Sequence, residues 1–86
     1  MARVTIRYWA AAKAAAGVPE ESVEAATLAG ALDAVIASRK PGSRLLEVLA
    51  RSSFLVDAAP AGRAARESIV LDDGCVIEVL PPFAGG

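Results

Sequence analysis

The chain contains no histidine and a single cysteine, Cys75. Without histidine it lacks the commonest general base and the commonest zinc ligand of proteins, which argues against an enzyme that works alone. A lone cysteine cannot form an internal disulfide, so we expect a cytoplasmic protein. No cations cluster around Cys75 in the sequence, and we therefore interpret it as a small buried hydrophobic residue rather than a nucleophile.

Long apolar runs and an excess of one charge are also missing. The 86 residues are 55% hydrophobic and 22% charged, with a net charge of -1. Charged side chains such as Arg7, Lys13 and Asp33 interrupt the apolar stretches, so neither a membrane-spanning helix nor a secretory signal is expected. The basic residues are scattered among acidic ones, which argues against a nucleic-acid partner. The composition fits one soluble globular domain.

The first half of the sequence carries alternating strand and helix signals. Residues 4–9 have the period of a half-buried strand. Residues 10–16 are strong helix formers closed by Gly17, so they predict a short helix. Residues 21–25 alternate again and predict a second strand. Thr27 is the predicted N-cap of the main helix, which runs to about Arg39.

The second half predicts a shorter helix and two further strands. Ser43 is the predicted cap of the shorter helix, and residues 54–56 form an apolar run that predicts a third strand. Residues 61–67 fit a loop, an edge strand or a helical turn equally well. Residues 72–74 predict a turn, and residues 75–80 predict the last strand, which should be central because it is apolar on much of both faces. The order predicts an α+β fold with one mixed sheet and a helix across it.

The last six residues, Pro81-Pro82-Phe83-Ala84-Gly85-Gly86, form a segment distinct from the predicted domain of residues 1–80. Two prolines cannot continue a strand ladder, so we expect the segment to project from the sheet. Phe83 is a candidate anchor for a partner's pocket. Glycine lacks Cβ, and a C-terminal glycine carboxylate is the least hindered acyl carbon a chain can present to an activating enzyme. The alternative is a frayed terminus that happens to end in two glycines.

Both ends of the sequence resemble the MoaD/ThiS family of ubiquitin-like sulfur carriers. The similarity lies in the opening strand that ends in Tyr8-Trp9, in the turn of residues 71–74 and in the tail that follows Leu80. The Pro-Pro-aromatic-x-Gly-Gly ending is closer to MoaD, the small subunit of molybdopterin synthase, than to ThiS. The family usually has an acidic residue where this chain has Cys75. The resemblance implies a β-grasp, ubiquitin-like fold over nearly the whole chain.

The resemblance also implies that Gly86, with Gly85 before it, carries the chemistry. An E1-like adenylyltransferase of the MoeB type would use ATP to convert the Gly86 carboxylate to an acyl-adenylate, and a sulfur donor would displace AMP to leave a thiocarboxylate. A MoaE-like large subunit, in a heterotetramer, would then accept the tail and pass the sulfur to cyclic pyranopterin monophosphate. The chain itself would bind no cofactor and no metal.

A partner-facing apolar surface is the last implication of the resemblance. Its residues are Trp9, Leu55, Leu80, Pro81, Pro82, Phe83 and Ala84. For Trp9 the alternative is a core aromatic on the helix-covered side of the sheet. Exposed apolar patches on small domains are themselves signs of an interaction.

Three other functions stay open at this point. The same loaded tail could serve thiamine, cysteine or tRNA thiolation, since only the acceptor enzyme would differ. A ubiquitin-like modifier or a plain binding module could carry the same tail. An independent enzyme has the least support, because the chain has one cysteine and no histidine.

Overall fold

The computed structural model of the protein describes residues 1–62 and 64–82. Its elements, in chain order, are β1 (Ala2–Tyr8), α1 (Ala10–Ala16), β2 (Glu20–Ala25), α2 (Leu28–Ala37), α3 (Leu45–Arg51), β3 (Ser53–Val56), β4 (Ala59–Pro60), a 3₁₀ turn (Arg66–Ser68) and β5 (Val76–Leu80). In the described part of the chain, every helix is too short or too polar to cross a bilayer.

The five strands form one mixed sheet in the order β2-β1-β5-β3-β4. The last strand, β5, lies at its centre, parallel to β1 and antiparallel to β3. This position confirms the prediction of a central last strand. Only one face of β5 is fully buried, however, because the helices cover one side of the sheet: Ile77 and Val79 are inaccessible, whereas Val76, Glu78 and Leu80 keep partial exposure.

The core lies between the sheet and the helices. The alternation of β1 points Val4, Ile6 and Tyr8 inward, and these side chains are 1%, 0% and 2% exposed. The main helix, α2, contributes Leu28, Ala31, Leu32 and Val35 to the same cluster. Thr27 is its N-cap as predicted, because the Thr27 hydroxyl accepts the backbone N–H of Gly30 at 3.1 Å. The helix ends at Ala37, slightly before the predicted limit.

Two predicted details of the second half need correction, namely the cap of the shorter helix and the start of the last strand. The structure also describes most of the segment of residues 61–67, which the sequence left open. Arg44 occupies the N-cap position of α3, although the Ser43 hydroxyl still accepts the backbone N–H of Leu45 at 3.2 Å. The segment of residues 61–67 contains the start of the 3₁₀ turn, and the short edge strand β4 precedes it. Regular pairing of β5 begins at Val76, one residue later than predicted.

A polar cluster connects β1, β2 and the end of α2. The Tyr8 hydroxyl donates to Glu21 Oε2 at 2.7 Å, and Arg39 donates from Nη1 to Glu21 Oε1 at 3.3 Å and from Nη2 to Oε2. The side chains of Arg39 and Glu21 are only 17% and 23% exposed. The cluster therefore holds the edge strand β2 to the helix layer through a charged contact largely shielded from water. It was not predicted from the sequence.

The first prediction concerns the pH dependence of this cluster. Burial acts to raise the pKa of Glu21, but hydrogen bonds from Arg39 and Tyr8 outweigh it and hold that pKa below its ordinary value. A carboxylate with a lowered pKa adds stability above its unfolded-state pKa, and this stability is lost as the pH falls through the folded-state pKa. We expect Glu21→Gln to lower the free energy of unfolding by about 1–3 kcal/mol at neutral pH.

Urea unfolding of the parent and the Glu21→Gln variant at neutral pH and at about pH 3 tests this expectation. The difference between their free energies of unfolding should shrink below the ordinary glutamate pKa of about 4.3. Glu20→Gln is the matched control, because Glu20 forms an exposed ion pair with Arg7 and should change the free energy of unfolding by less than about 1 kcal/mol. A Glu21→Gln effect that stays the same at both pH values would contradict the proposed ionic contribution.

Candidate functional site

The face of the sheet opposite the helices is open. Strand alternation places on it Arg3, Thr5, Arg7, Val76, Glu78, Leu80 and Leu55. All of these side chains are exposed or partly exposed, whereas their inward neighbours belong to the core. The open face is therefore where a partner could contact the sheet.

Trp9 lies at the edge of the open face, next to the end of β5. Its backbone N–H donates to the carbonyl oxygen of Val79 at 3.3 Å, and its backbone is extended, so it continues the alternation of β1 and points away from buried Tyr8. The side chain is 48% exposed. This exposure rules out the alternative of a core aromatic.

Leu80 and Leu55 lie on the strands beside Trp9. Leu80 is the last residue of β5 and pairs with Ser53 of β3, and Leu55 pairs with Glu78 two residues earlier. Both leucines are partly exposed. The structure thus brings together the three predicted apolar residues of the domain, Trp9, Leu55 and Leu80, which we call the apolar patch.

The first residues of the tail leave the domain beside this patch. Pro81 is partly exposed and Pro82 is exposed. Both line a groove on the helix side of the sheet end, between α1 and α3. The predicted residues Phe83, Ala84, Gly85 and Gly86 lie outside the described residues. The structure therefore describes only the base of the predicted site. This base consists of the apolar patch, Pro81, Pro82 and the end of β5 that carries them.

A row of alternating charges borders the apolar patch on the open face. Arg7 is in register with Glu20 on one side and with Glu78 on the other. Arg7 Nε lies 3.5 Å from Glu20 Oε1, and the two side chains are 49% and 54% exposed. Exposed pairs of this kind contribute little stability. They do set the pattern of charge that a partner of the apolar patch would meet. This pattern was not predicted, because it depends on strand register.

Cys75 is remote from the apolar patch and chemically quiet. It precedes β5 at the end opposite Leu80, a distance of roughly 16 Å for a strand of this length. The side chain is 3% exposed, which confirms the prediction of a buried residue. Burial raises the pKa of the thiol, and the carboxylates of Asp57 and Asp72 act in the same direction. A thiol held protonated in this way is a poor nucleophile.

Helix α3 and its N-cap carry two further residues of interest, Arg51 and Arg44. They line the same groove as Pro81 and Pro82. Residues 44, 48 and 51 have the spacing that places them on one helical face, so the sequence held a signal for this pair. This spacing does not by itself indicate a groove, because the groove also depends on the position of α3 beside Pro81 and Pro82.

Together these features define a class of protein. A mixed sheet with a helix across it, a central last strand and a C-terminal tail beside an apolar patch is the architecture of a ubiquitin-like β-grasp domain. A sequence model of the ThiS family matches residues 6–86. The chain therefore belongs to the ThiS family, and the resemblance seen at its two ends is confirmed.

Solved structures of the same fold agree with this assignment. Small archaeal modifier protein 1 from Methanosarcina acetivorans matches with a TM-score of 0.81 and 20% identity, over 100% of this chain and 98% of its own. The same-named protein from Haloferax volcanii matches with a TM-score of 0.77 and 21% identity, over 98% and 99%. A chain in the complex of subunits 1 and 2 of molybdopterin-converting factor from Helicobacter pylori 26695 matches with a TM-score of 0.68 and 24% identity, over 98% and 99%.

At these identities the structural matches establish the fold. A search of curated proteins gave no match.

The exposure of Trp9 leads to a prediction about stability. Because Trp9 is half exposed and Phe54 is only 6% exposed, the two aromatic truncations should differ sharply. We expect Trp9→Ala to lower the free energy of unfolding by less than about 1 kcal/mol, as for a surface substitution. The matched Phe54→Ala should cost about 3–5 kcal/mol. Urea unfolding measures both, and equal losses would mean that Trp9 supports the core.

Proposed function

We propose that this ThiS-family chain is a sulfur carrier and acts as the small subunit of a molybdopterin synthase. The observation that carries the proposal is that the family match continues through residue 86 while the structure fixes the base of that tail beside the apolar patch. A carrier needs a thin reactive end and a rigid domain that partners can recognise. In this chain the folded domain is followed in the sequence by Gly85-Gly86, which the proposal makes the reactive end.

The proposed chemistry takes place at the carboxylate of Gly86. Its attack on the α-phosphate of ATP, within an E1-like adenylyltransferase of the MoeB type, forms an acyl-adenylate and releases pyrophosphate. A donor that supplies sulfur at the oxidation level of sulfide then forms the C–S bond as the C–O bond to AMP breaks, which leaves a thiocarboxylate and AMP. The carrier later gives that sulfur to cyclic pyranopterin monophosphate. Two carriers serve each dithiolene. Hydrolysis of the carrier's acyl group then restores the Gly86 carboxylate.

The apolar patch would provide the docking surface for these partners. Trp9, Leu55 and Leu80 are partly or half exposed on one face, which suits a partner that supplies its own apolar surface. Pro81 and Pro82 extend this surface toward the reactive end, and Phe83 and Ala84 would continue it into the partner. A MoaE-like large subunit in a heterotetramer is the proposed acceptor. The Helicobacter pylori structure shows a related fold in a complex of two subunits.

A second candidate function is that of a ubiquitin-like modifier. The structural likeness to the small archaeal modifier proteins, with a TM-score of 0.81 for the Methanosarcina acetivorans protein, favours this candidate. Activation of Gly86 would be the same, but a lysine amine would receive the acyl group instead of a pterin receiving sulfur. Sulfur transfer toward thiamine, cysteine or tRNA would differ from the first proposal in the acceptor alone.

Deletion of Gly86 tests the shared first step. After incubation with a MoeB-type enzyme, ATP and a sulfur donor, the intact chain should gain the mass of one oxygen-to-sulfur replacement, and the shortened chain should not. The last strand, β5, ends six residues before the C-terminus at Leu80, so we expect thermal unfolding of the two chains to coincide. Loading of the shortened chain would contradict the role of Gly86. A loaded chain that is then found joined to lysines in cell extract would favour the modifier.

Phe83→Ala tests the proposed anchor. Removal of a large aromatic from the centre of an interface commonly costs at least about 2 kcal/mol, so we expect binding to a MoaE-like large subunit to weaken by roughly thirtyfold. Val70→Ala is the control, because Val70 is 74% exposed and lies outside the apolar patch. Isothermal titration calorimetry measures both affinities. If Phe83→Ala binds as tightly as the control, Phe83 is not part of the interface.

A further inference from the structure

The groove between α1 and α3 is the feature that the proposed carrier chemistry leaves unexplained. It has a volume of about 560 Å³ and opens to solvent. Its lining includes Ala11 of α1, the α3 N-cap residue Arg44, Val48 and Arg51 of α3, and the tail base Pro81-Pro82. We call it the basic groove. It lies on the helix side of the strand end, whereas the apolar patch lies on the open face.

The arginines of the basic groove have no ion-pair partner among the residues that the structure describes. Arg44 and Arg51 are exposed, and Glu47, the acidic residue of the lining, stands between them on α3. Among the described residues, the ion pairs are Arg7 with Glu20 and Arg39 with Glu21. Neither groove arginine is paired there, although Glu47 lies at helical spacing from both. The groove therefore presents a net positive charge on a chain whose net charge is -1.

The floor of the basic groove is apolar. Val48 is partly buried and packs against the core, and the apolar ring of Pro81 is likewise partly buried. An apolar floor with arginines at its margin fits a polypeptide segment that combines an apolar side chain with carboxylates. Arginine is well suited to such contacts, because its planar guanidinium can bind a carboxylate through two hydrogen bonds.

The location of the groove indicates which protein would provide that segment. Pro81 and Pro82 belong both to the tail base and to the groove lining. A protein that encloses the tail must therefore pass over the groove on one side and the apolar patch on the other. In the proposed function, the first protein to enclose the tail is the activating enzyme.

We propose that the basic groove binds an acidic segment of the activating enzyme, with Arg44 and Arg51 as the residues that recognise it. This inference rests on the proposed function, since it needs an enzyme that takes up the tail. Charged groups at the margin of an interface act mainly on the rate of association and on its salt dependence. The groove would thus assist capture of the carrier and leave the chemistry at Gly86 unchanged.

The test is the double substitution Arg44→Gln/Arg51→Gln, compared with Lys13→Gln/Lys40→Gln. The control removes the same charge from exposed residues outside the groove. Thiocarboxylate formation by a MoeB-type enzyme, followed by intact mass at several carrier concentrations, gives kcat and KM. From two exposed ion pairs we expect KM to rise roughly five- to tenfold, with kcat unchanged and a weaker dependence of KM on salt. The control should leave KM within about twofold of the parent.

Three outcomes would overturn the inference. The first is an equal KM for the groove variant and the control. The second is a fall in kcat without a change in KM, which would place the arginines in the chemical step. The third is a shift of the Arg44 and Arg51 side-chain NMR signals in the free chain when residues 83–86 are removed, which would make the chain's own terminus the occupant.

A separate measurement distinguishes failure of the proposed function from failure of this inference. If the parent chain is not loaded at all, the carrier proposal is wrong. Binding of the same enzyme without ATP, followed by Trp9 fluorescence, still tests the groove. Weaker binding of the groove variant than of the control would support the inference, and equal binding or no binding would reject it.

Discussion

The position of β5 between β1 and β3 is the constraint on which the rest of the structure depends. Ile77 pairs with Ile6 on one side and with Val56 on the other, and it is completely buried. A slip of one residue would turn Ile77 and Val79 onto the open face, so the register is strongly specified. Because both edges of β5 are hydrogen-bonded to neighbours, the residues that follow Leu80 start from a fixed point. If several enzymes engage the tail in turn, as proposed, such a fixed base would help each of them to find it.

The polar cluster of Tyr8, Glu21 and Arg39 supports the C-terminal end of β1, where Tyr8 pairs with Val79 of β5. Tyr8 immediately precedes Trp9, so the cluster helps to hold the strand end from which the apolar patch projects. The cluster is not fully satisfied, since Arg39 Nε has no hydrogen-bond partner among the described residues. A buried donor left in this way costs about 1–3 kcal/mol. The hydrogen bonds that Arg39 and Tyr8 donate to Glu21 are the contacts that act against this cost.

Much of the fold could be predicted from the sequence, and the exceptions have physical causes. α1 was predicted because Gly17, with a φ of 81°, ends it in the left-handed conformation that glycine adopts easily. The β3–β4 hairpin was not, because its turn uses Asp57 and Ala58 at φ values of 49° and 68°, without glycine. The Asp57 carboxylate accepts the Val76 N–H at 2.9 Å, and this hydrogen bond between residues nineteen positions apart compensates for the unfavourable backbone conformation of the turn. The apolar patch was predicted through resemblance, whereas the basic groove depends on tertiary placement.

The fold alone does not determine which acceptor the tail would serve. Archaeal modifier proteins and a subunit of molybdopterin-converting factor match the chain over nearly its whole length. If the tail is activated as proposed, the reactive group is the same for each of these fates, so it cannot distinguish among acceptors. Discrimination must come from surfaces that a partner meets while it holds the tail. In the described part of the chain, the basic groove is the proposed contact of the activating enzyme, which all of these fates would share, so the apolar patch is the surface beside the tail base that remains for an acceptor to recognise. Selection among acceptors would therefore depend on how well the apolar surface of each acceptor fits Trp9, Leu55 and Leu80.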